Sequence, residues 1–146
     1  MRVGYDLDGV ICNEPSYVCK AFNWNINLGI KLRHIQKATH IPKIKGYIIT
    51  GRPEIDRTIT ESWLERETIE YIDLYMADRI SLPYSIKFKA SKINELKLET
   101  YIESEKDNAE LLQLLCPGCV ILNMEYSGIY FYLETLTRGL NGSFIV

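Results

Sequence analysis

No apolar run in the 146 residues approaches the roughly 20 that a membrane-spanning helix needs, so the sequence predicts a soluble protein without a membrane partner. The chain passes straight into Arg2-Val3-Gly4-Tyr5 without a signal-peptide pattern, and a cytoplasmic location is the expectation. There are no internal repeats, low-complexity tracts or Gly/Ser linkers to divide it, which leaves one domain over 1–146. That length suffices to bury roughly two thirds of the unfolded surface in one core. There are four cysteines, Cys12, Cys19, Cys116 and Cys119. Structural disulfides are rare inside cells, so zinc, redox chemistry and plain burial remain. Cys116-Pro117-Gly118-Cys119 has zinc-knuckle spacing, and Cys12 with Cys19 would complete a four-sulfur site. As a redox pair it is badly placed, because it follows a helical pattern and a helix C-terminus disfavours a thiolate. Packing around a Pro-Gly turn is the simplest reading.

Acid is missing from one long stretch. Between Pro15 and Pro53 stand seven basic residues, Lys20, Lys31, Arg33, Lys37, Lys43, Lys45 and Arg52, and no Asp or Glu. From Glu54 onward acids outnumber bases sixteen to nine, so a formal net charge of -2 conceals a basic first third. Such a block is either a solvated face or a rim that concentrates anions. Interleaved Tyr17, Phe22 and Trp24 favour a ligand with bases to stack on, a nucleotide or a polynucleotide end.

What the chain does have is Asp6-Leu7-Asp8-Gly9-Val10, two carboxylates two positions apart where an apolar strand ends. Residues i and i+2 of an extended segment point the same way, so both acids can face one hard cation. Asp before Gly is also ordinary turn chemistry. Further polar groups follow short apolar runs: Thr50-Gly51-Arg52-Pro53 after Gly46–Ile49, Lys89 at the end of Ile86–Lys89, and Glu103-Ser104-Glu105-Lys106-Asp107 after Thr100–Ile102. In an open parallel sheet the carboxyl ends of the strands share one edge, where ligands bind. These groups are therefore expected to converge.

The remaining periodicity alternates strands and helices. Residues 2–6 read as a buried strand, and 14–40 as mostly helical but poorly patterned. Pro53 is expected in a first helical turn, with Ile55, Ile59 and Trp63 as the apolar stripe of a helix to about Arg66. Asp73–Met76 is a strand candidate, and Ala90, Ile93 and Leu96 mark a helix over 90–97. Asp107 with Glu110 has the form of an N-cap ahead of Leu111, Leu112, Leu114 and Leu115. Val120–Leu122 closes the core, and the Tyr-rich tail from Asn123 is unassigned. The expectation is a parallel α/β sheet with helices on both faces.

The order D-L-D-G-V at 6–10, I-T-G-R-P at 49–53, a lysine at 89 and I-E-S-E-K-D at 102–107 resembles the haloacid dehalogenase-like (HAD) superfamily of phosphatases, with similarity to its nucleotidase and polynucleotide-phosphatase branches. The resemblance spans about residues 2–122. It implies a single Rossmann-like domain with no large cap, since the intervals after the first two motifs are about forty residues each; 12–45 could carry a small cap-like or substrate-facing insertion. It implies Asp6 as nucleophile, forming an aspartyl-phosphate, and Asp8 as general acid and then base. Thr50 would bond a phosphoryl oxygen, Lys89 would neutralise the transferring group, and Gly51 and Arg52 would face substrate. Mg²⁺ would be held by Asp6, the Asp8 carbonyl and an acid of the last motif, Glu103 or Asp107.

Several of these positions have rivals. Thr50 could simply end a strand, Arg52 could face solvent, Lys87 and Lys92 compete with Lys89, and Asp107 could only cap its helix. The last motif departs from the family's frequent pair of adjacent Asp, carrying Glu103-Ser104 instead. That leaves open a HAD-like domain that binds metal or nucleotide without turnover, or a phosphatase of another small phosphometabolite. An EF-hand fails on spacing, because Gly9 would be fourth and Tyr17 twelfth in its loop. A receiver domain needs an acceptor Asp on a middle strand before the Thr, and a metal-independent dehalogenase has little use for acids at 8, 103 and 107. The sequence thus points to a Mg²⁺-dependent phosphomonoesterase acting on a nucleotide or nucleic-acid-end phosphate.

Overall fold

A computed structural model describes residues 1–12, 37–78 and 82–124. The reading of 14–40 falls largely outside them, as do Cys19, Tyr17, Phe22, Trp24, Lys20, Lys31, Arg33 and the tail beyond 124. Five strands form one sheet: β1 (Val3–Tyr5), β2 (Gly46–Pro53), β3 (Tyr71–Ala77), β4 (Thr100–Glu103) and β5 (Val120–Asn123). Three helices connect the later ones: α1 (Arg57–Arg66), α2 (Leu82–Glu95) and α3 (Lys106–Leu115). The order across the sheet is β3-β2-β1-β4-β5, and every pair is parallel. This is a small Rossmann-like α/β fold, as expected.

Strand order explains where a site must lie. The chain steps outward from β1 to β2 to β3, then α2 carries it back across to β4, on the other side of β1. The direction of winding thus reverses between β1 and β4, and the crevice at their carboxyl ends is where such sheets bind ligands. Asp6, one residue past β1, donates its N–H to Ile102 O at 2.9 Å, so the two strand ends lie side by side. From β2 to β3 the connection is a short 3-10 turn (Glu54–Asp56) and α1 alone, so no lid is inserted there.

Alternation along the strands splits the core in two. Val3, Tyr5, Ile48, Leu74, Met76 and Ile102 pack on one face with Trp63 and Leu64 of α1. Ile49, Leu98 and Tyr101 pack on the other with Ile86, Ala90 and Ile93 of α2 and Leu112 and Cys116 of α3. Neighbours in sequence, Ile48 and Ile49 or Tyr101 and Ile102, point to opposite layers, as the pleat demands. A sheet covered on both faces needs strands apolar throughout, and β1 and β4 are buried at every position.

Three expectations about elements are corrected. Lys89 does not follow a strand: it sits in the middle of α2, which starts at Leu82 with Pro83 in its first turn, where the missing N–H costs nothing. Ile86, Lys89, Ala90 and Ile93 share its buried face at helical spacing. Pro53 ends β2 rather than entering a helix, and the 3-10 turn after it shifts the phase of α1. Ile55 is consequently 88% exposed and Ile59 37%, while the buried stripe is Asp56, Thr60, Trp63 and Leu64. Finally, α3 begins at Lys106 with Glu105 at its N-cap and no side-chain cap bond, so Asp107 lies inside the first turn. Its charge suits the positive helix end there.

Candidate active site

The turn after β1 aims the two acids apart. Leu7 O accepts from the N–H groups of Ile11 at 2.9 Å and Cys12 at 3.2 Å, and Gly9 N–H donates to Cys12 O at 2.7 Å. Gly9 takes φ 85°, a left-handed conformation that a Cβ would strain. Asp6 turns inward against β4, and its Oδ1 accepts the Leu7 N–H at 2.8 Å. Asp8 turns toward the end of β2.

Around Asp6 three side chains meet. Lys89 Nζ reaches Asp6 Oδ2 at 3.1 Å and Glu103 Oε2 at 2.9 Å. The Ser104 hydroxyl lies 3.3 Å from Asp6 Oδ2 and 3.2 Å from Glu103 Oε1, and Ser104 N–H donates to Glu103 Oε1 at 3.0 Å. Asp6, Lys89 and Glu103 are all buried. Burial and the neighbouring Glu103 push the Asp6 carboxyl well above the usual carboxylate range. Burial also acts to raise Glu103, but Lys89 and hydrogen bonds from Asp6, Lys89 and Ser104 N–H outweigh it and hold that group low. Lys89 is raised against its own desolvation by the two acids. Burial and mutual repulsion thus oppose ionising both carboxyls at once, and the Lys89 ammonium works against that.

Around Asp8 a second cluster forms. Arg52 Nε donates to Asp8 Oδ2 at 2.8 Å and Arg52 Nη2 to Asp8 Oδ1 at 2.6 Å, a two-pronged fork. The third nitrogen, Nη1, donates to Thr60 Oγ1 at 3.3 Å. Arg52 gets there because Thr50 pairs with Met76 and Pro53 with Ala77, leaving Gly51 and Arg52 out of the ladder as a bulge. A Cβ on Gly51 would run into Ser85 Oγ of α2, so a larger residue there would have to turn that hydroxyl away or move the bulge off the helix. Thr50 is buried, and its Oγ1 accepts the Arg52 N–H at 3.2 Å. The Cys12 thiol closes the cluster, 3.4 Å from Asp8 Oδ1, and is pushed up by burial and by Asp8.

Asp6, Asp8, Thr50, Gly51, Arg52, Lys89 and Glu103 line one cavity of about 170 Å³ at the carboxyl edge of the sheet. Asp107 is exposed and does not line it; Ser104, Glu105 and Asn108 do. Of the rival lysines, Lys87 is exposed and Lys92 pairs with Glu95 at 3.1 Å and lies over the Tyr75 ring. Sequence reasoning missed Thr60, which belongs to no motif, and the bonds Ser104 makes. The adjacency of Ser104 to Glu103 at a strand end was the one available signal. Cys116 and Cys119 lie in the α2–α3 core, where Cys116 Sγ contacts Ala90 O at 3.6 Å and burial pushes the Cys119 thiol up to about 12.

The donor set fits Mg²⁺. Two buried carboxyls that repel one another are a place where a dication would relieve the repulsion, and Asp6 and Glu103 supply oxygen ligands of the required hardness. Among the described residues no three His, Cys, Asp or Glu side chains gather round one point. Mg²⁺ keeps several waters and is often held by only one or two carboxylates, which Asp6 and Glu103 would supply. The Asp8 side chain, committed to Arg52, is left out of that set. The chain matches no family model, no curated protein and no solved structure.

Proposed function

We propose that this chain is a Mg²⁺-dependent phosphomonoesterase of HAD type that works through a phosphorylated Asp6. The observation that carries the reading is the meeting of Asp6, Lys89 and Glu103, far apart in sequence, beside Thr50 in one small cavity. A phosphate ester is an anion that a carboxylate attacks only if charge is neutralised between them; bound Mg²⁺ would supply that neutralisation. Lys89 adds a fixed positive charge that costs no reorganisation during transfer. The Thr50 hydroxyl, held by Arg52 N–H, is supplied as a donor to a phosphoryl oxygen. Asp8 exchanges a proton with the leaving oxygen and then with the attacking water.

The cavity, about 170 Å³, is smaller than the ~300–1,000 Å³ of sites that enclose a whole ligand. It suits a phosphoryl group with a few waters, the rest of the substrate lying outside. The acid-free basic stretch between Pro15 and Pro53, with Tyr17, Phe22 and Trp24 interleaved, then favours a nucleotide or a nucleic-acid end over a sugar phosphate, which has no base to stack. Among the described residues no helix is long and apolar enough to cross a membrane, and buried free thiols at Cys12, Cys116 and Cys119 suit the reducing cytoplasm. Glu103-Ser104 in place of paired acids favours a second reading, a domain that binds metal or nucleotide without turnover. Assay on a chromogenic phosphate ester with and without Mg²⁺, beside Asp6→Asn, separates the two. Metal-dependent release lost in the variant supports the enzyme; equal rates with and without Asp6 remove the nucleophile.

A further inference from the structure

We infer that Arg52 and Thr60 are positioning residues that aim the Asp8 carboxylate for the second half of the reaction, hydrolysis of the phosphorylated Asp6. The inference rests on the phosphatase reading above and assigns work to side chains that no substrate needs to touch.

Three observations point this way. Arg52 is buried, and its fork occupies both oxygens of Asp8, so the guanidinium is already spoken for before any anion arrives. Behind it, Nη1 donates to Thr60 Oγ1, and Thr60 has no exposed surface at all. Asp56, buried one helical turn earlier on the same stripe, adds a negative charge that holds Arg52 in place electrostatically. The Asp8 side chain, by contrast, keeps 14% of its surface open and lines the cavity. A rigid planar fork, braced from behind, fixes both the charge and the direction of a carboxylate that still faces the reacting space.

An oriented carboxylate is what the hydrolytic step needs. The water oxygen bonds to phosphorus, one water proton passes to Asp8, the bond from phosphorus to the Asp6 oxygen breaks, and its electron pair restores the Asp6 carboxylate. Inorganic phosphate leaves with the remaining water proton. In the first step an ester with a good leaving group departs without a proton, so Asp8 is not required there.

Stopped-flow hydrolysis of p-nitrophenyl phosphate with Mg²⁺ separates the steps. For Thr60→Val and for Arg52→Lys, which keeps charge but cannot form the fork, the account expects kcat and KM to fall together by about tenfold, a part of the ~10²–10⁴ that proton transfer contributes. A burst of nitrophenolate, at least as large as that of the wild type, should precede the slow phase as phosphorylated Asp6 accumulates. Thr60→Ser, which keeps the hydroxyl, should restore the wild-type pattern. Two substitutions at different positions guard against one failing to fold, which thermal melting detects. If kcat and kcat/KM fall equally without a burst, or neither falls, the positioning role is overturned while the enzyme stands. A wild-type protein that releases no nitrophenolate overturns the phosphatase reading itself.

Discussion

At the scale of single residues the site is a balance of buried charge. Among the described residues Lys89 is the cation paired with Asp6 and Glu103, which are both buried beside it. Removing one partner of a buried ion cluster leaves the others uncompensated, which typically costs ~3–5 kcal/mol. Lys89→Met is therefore expected to lower stability by about 3 kcal/mol in chemical denaturation, with Mg²⁺ recovering part of the loss. A change below about 0.5 kcal/mol would mean that the cluster is not energetically coupled. The acids at 6, 8 and 103 and the groups at 50, 52 and 89 could be picked from sequence because each stands within a short recognisable motif. Their pairing could not. Nothing in the chain order says that Arg52 grips Asp8 rather than substrate, because that depends on a two-residue bulge and on a threonine one helix away.

At the scale of elements, strands were more legible than helix phase. Runs such as Gly46–Ile49 and Thr100–Ile102 are β-branched, aromatic or small and largely buried because both faces are covered, and no competing pattern obscures them. The stripe of α1 was misread because half of its buried positions, Asp56 and Thr60, are polar and serve Arg52, whereas Ile55 and Ile59 project outward. The lysine of α2 was misplaced for a related reason: Ile86–Lys89 looks like a strand when the helix start at Leu82 goes unrecognised. This phase is directly testable. Ile55→Ser should change stability by less than about 0.5 kcal/mol, while Leu64→Ala should cost ~2–5 kcal/mol, both by urea titration. The reverse order would restore the apolar stripe 55-59-63. Gly51→Ala should move the β2 end off Ser85 and depress activity more than stability, since the displaced bulge carries Arg52, whose N–H holds the Thr50 hydroxyl.

At the scale of the molecule, fold and chemistry are coupled through the proton on Asp6. Its pKa is raised in the folded state, so between the ordinary value of 3.8 and that raised value the folded protein holds more protons than the unfolded one, and stability without metal falls as pH rises through this window. Metal must displace that proton, so its affinity rises over the same window. The thermal shift produced by Mg²⁺ is thus expected to grow as pH rises above the ordinary carboxylate value of 3.8, and to flatten in Asp6→Asn. The overall architecture was readable because strand ends and motifs coincide, placing the switch between β1 and β4 at Asp6 and Glu103. The central claim is that Asp6 carries the phosphoryl group. Acid-quenching the protein during turnover of a phosphate ester with Mg²⁺, then weighing its peptides, tests this directly. The account predicts one added phosphoryl group on the peptide that contains Asp6, absent from Asp6→Asn; turnover with that peptide unmodified throughout, or the label on another residue, would contradict it.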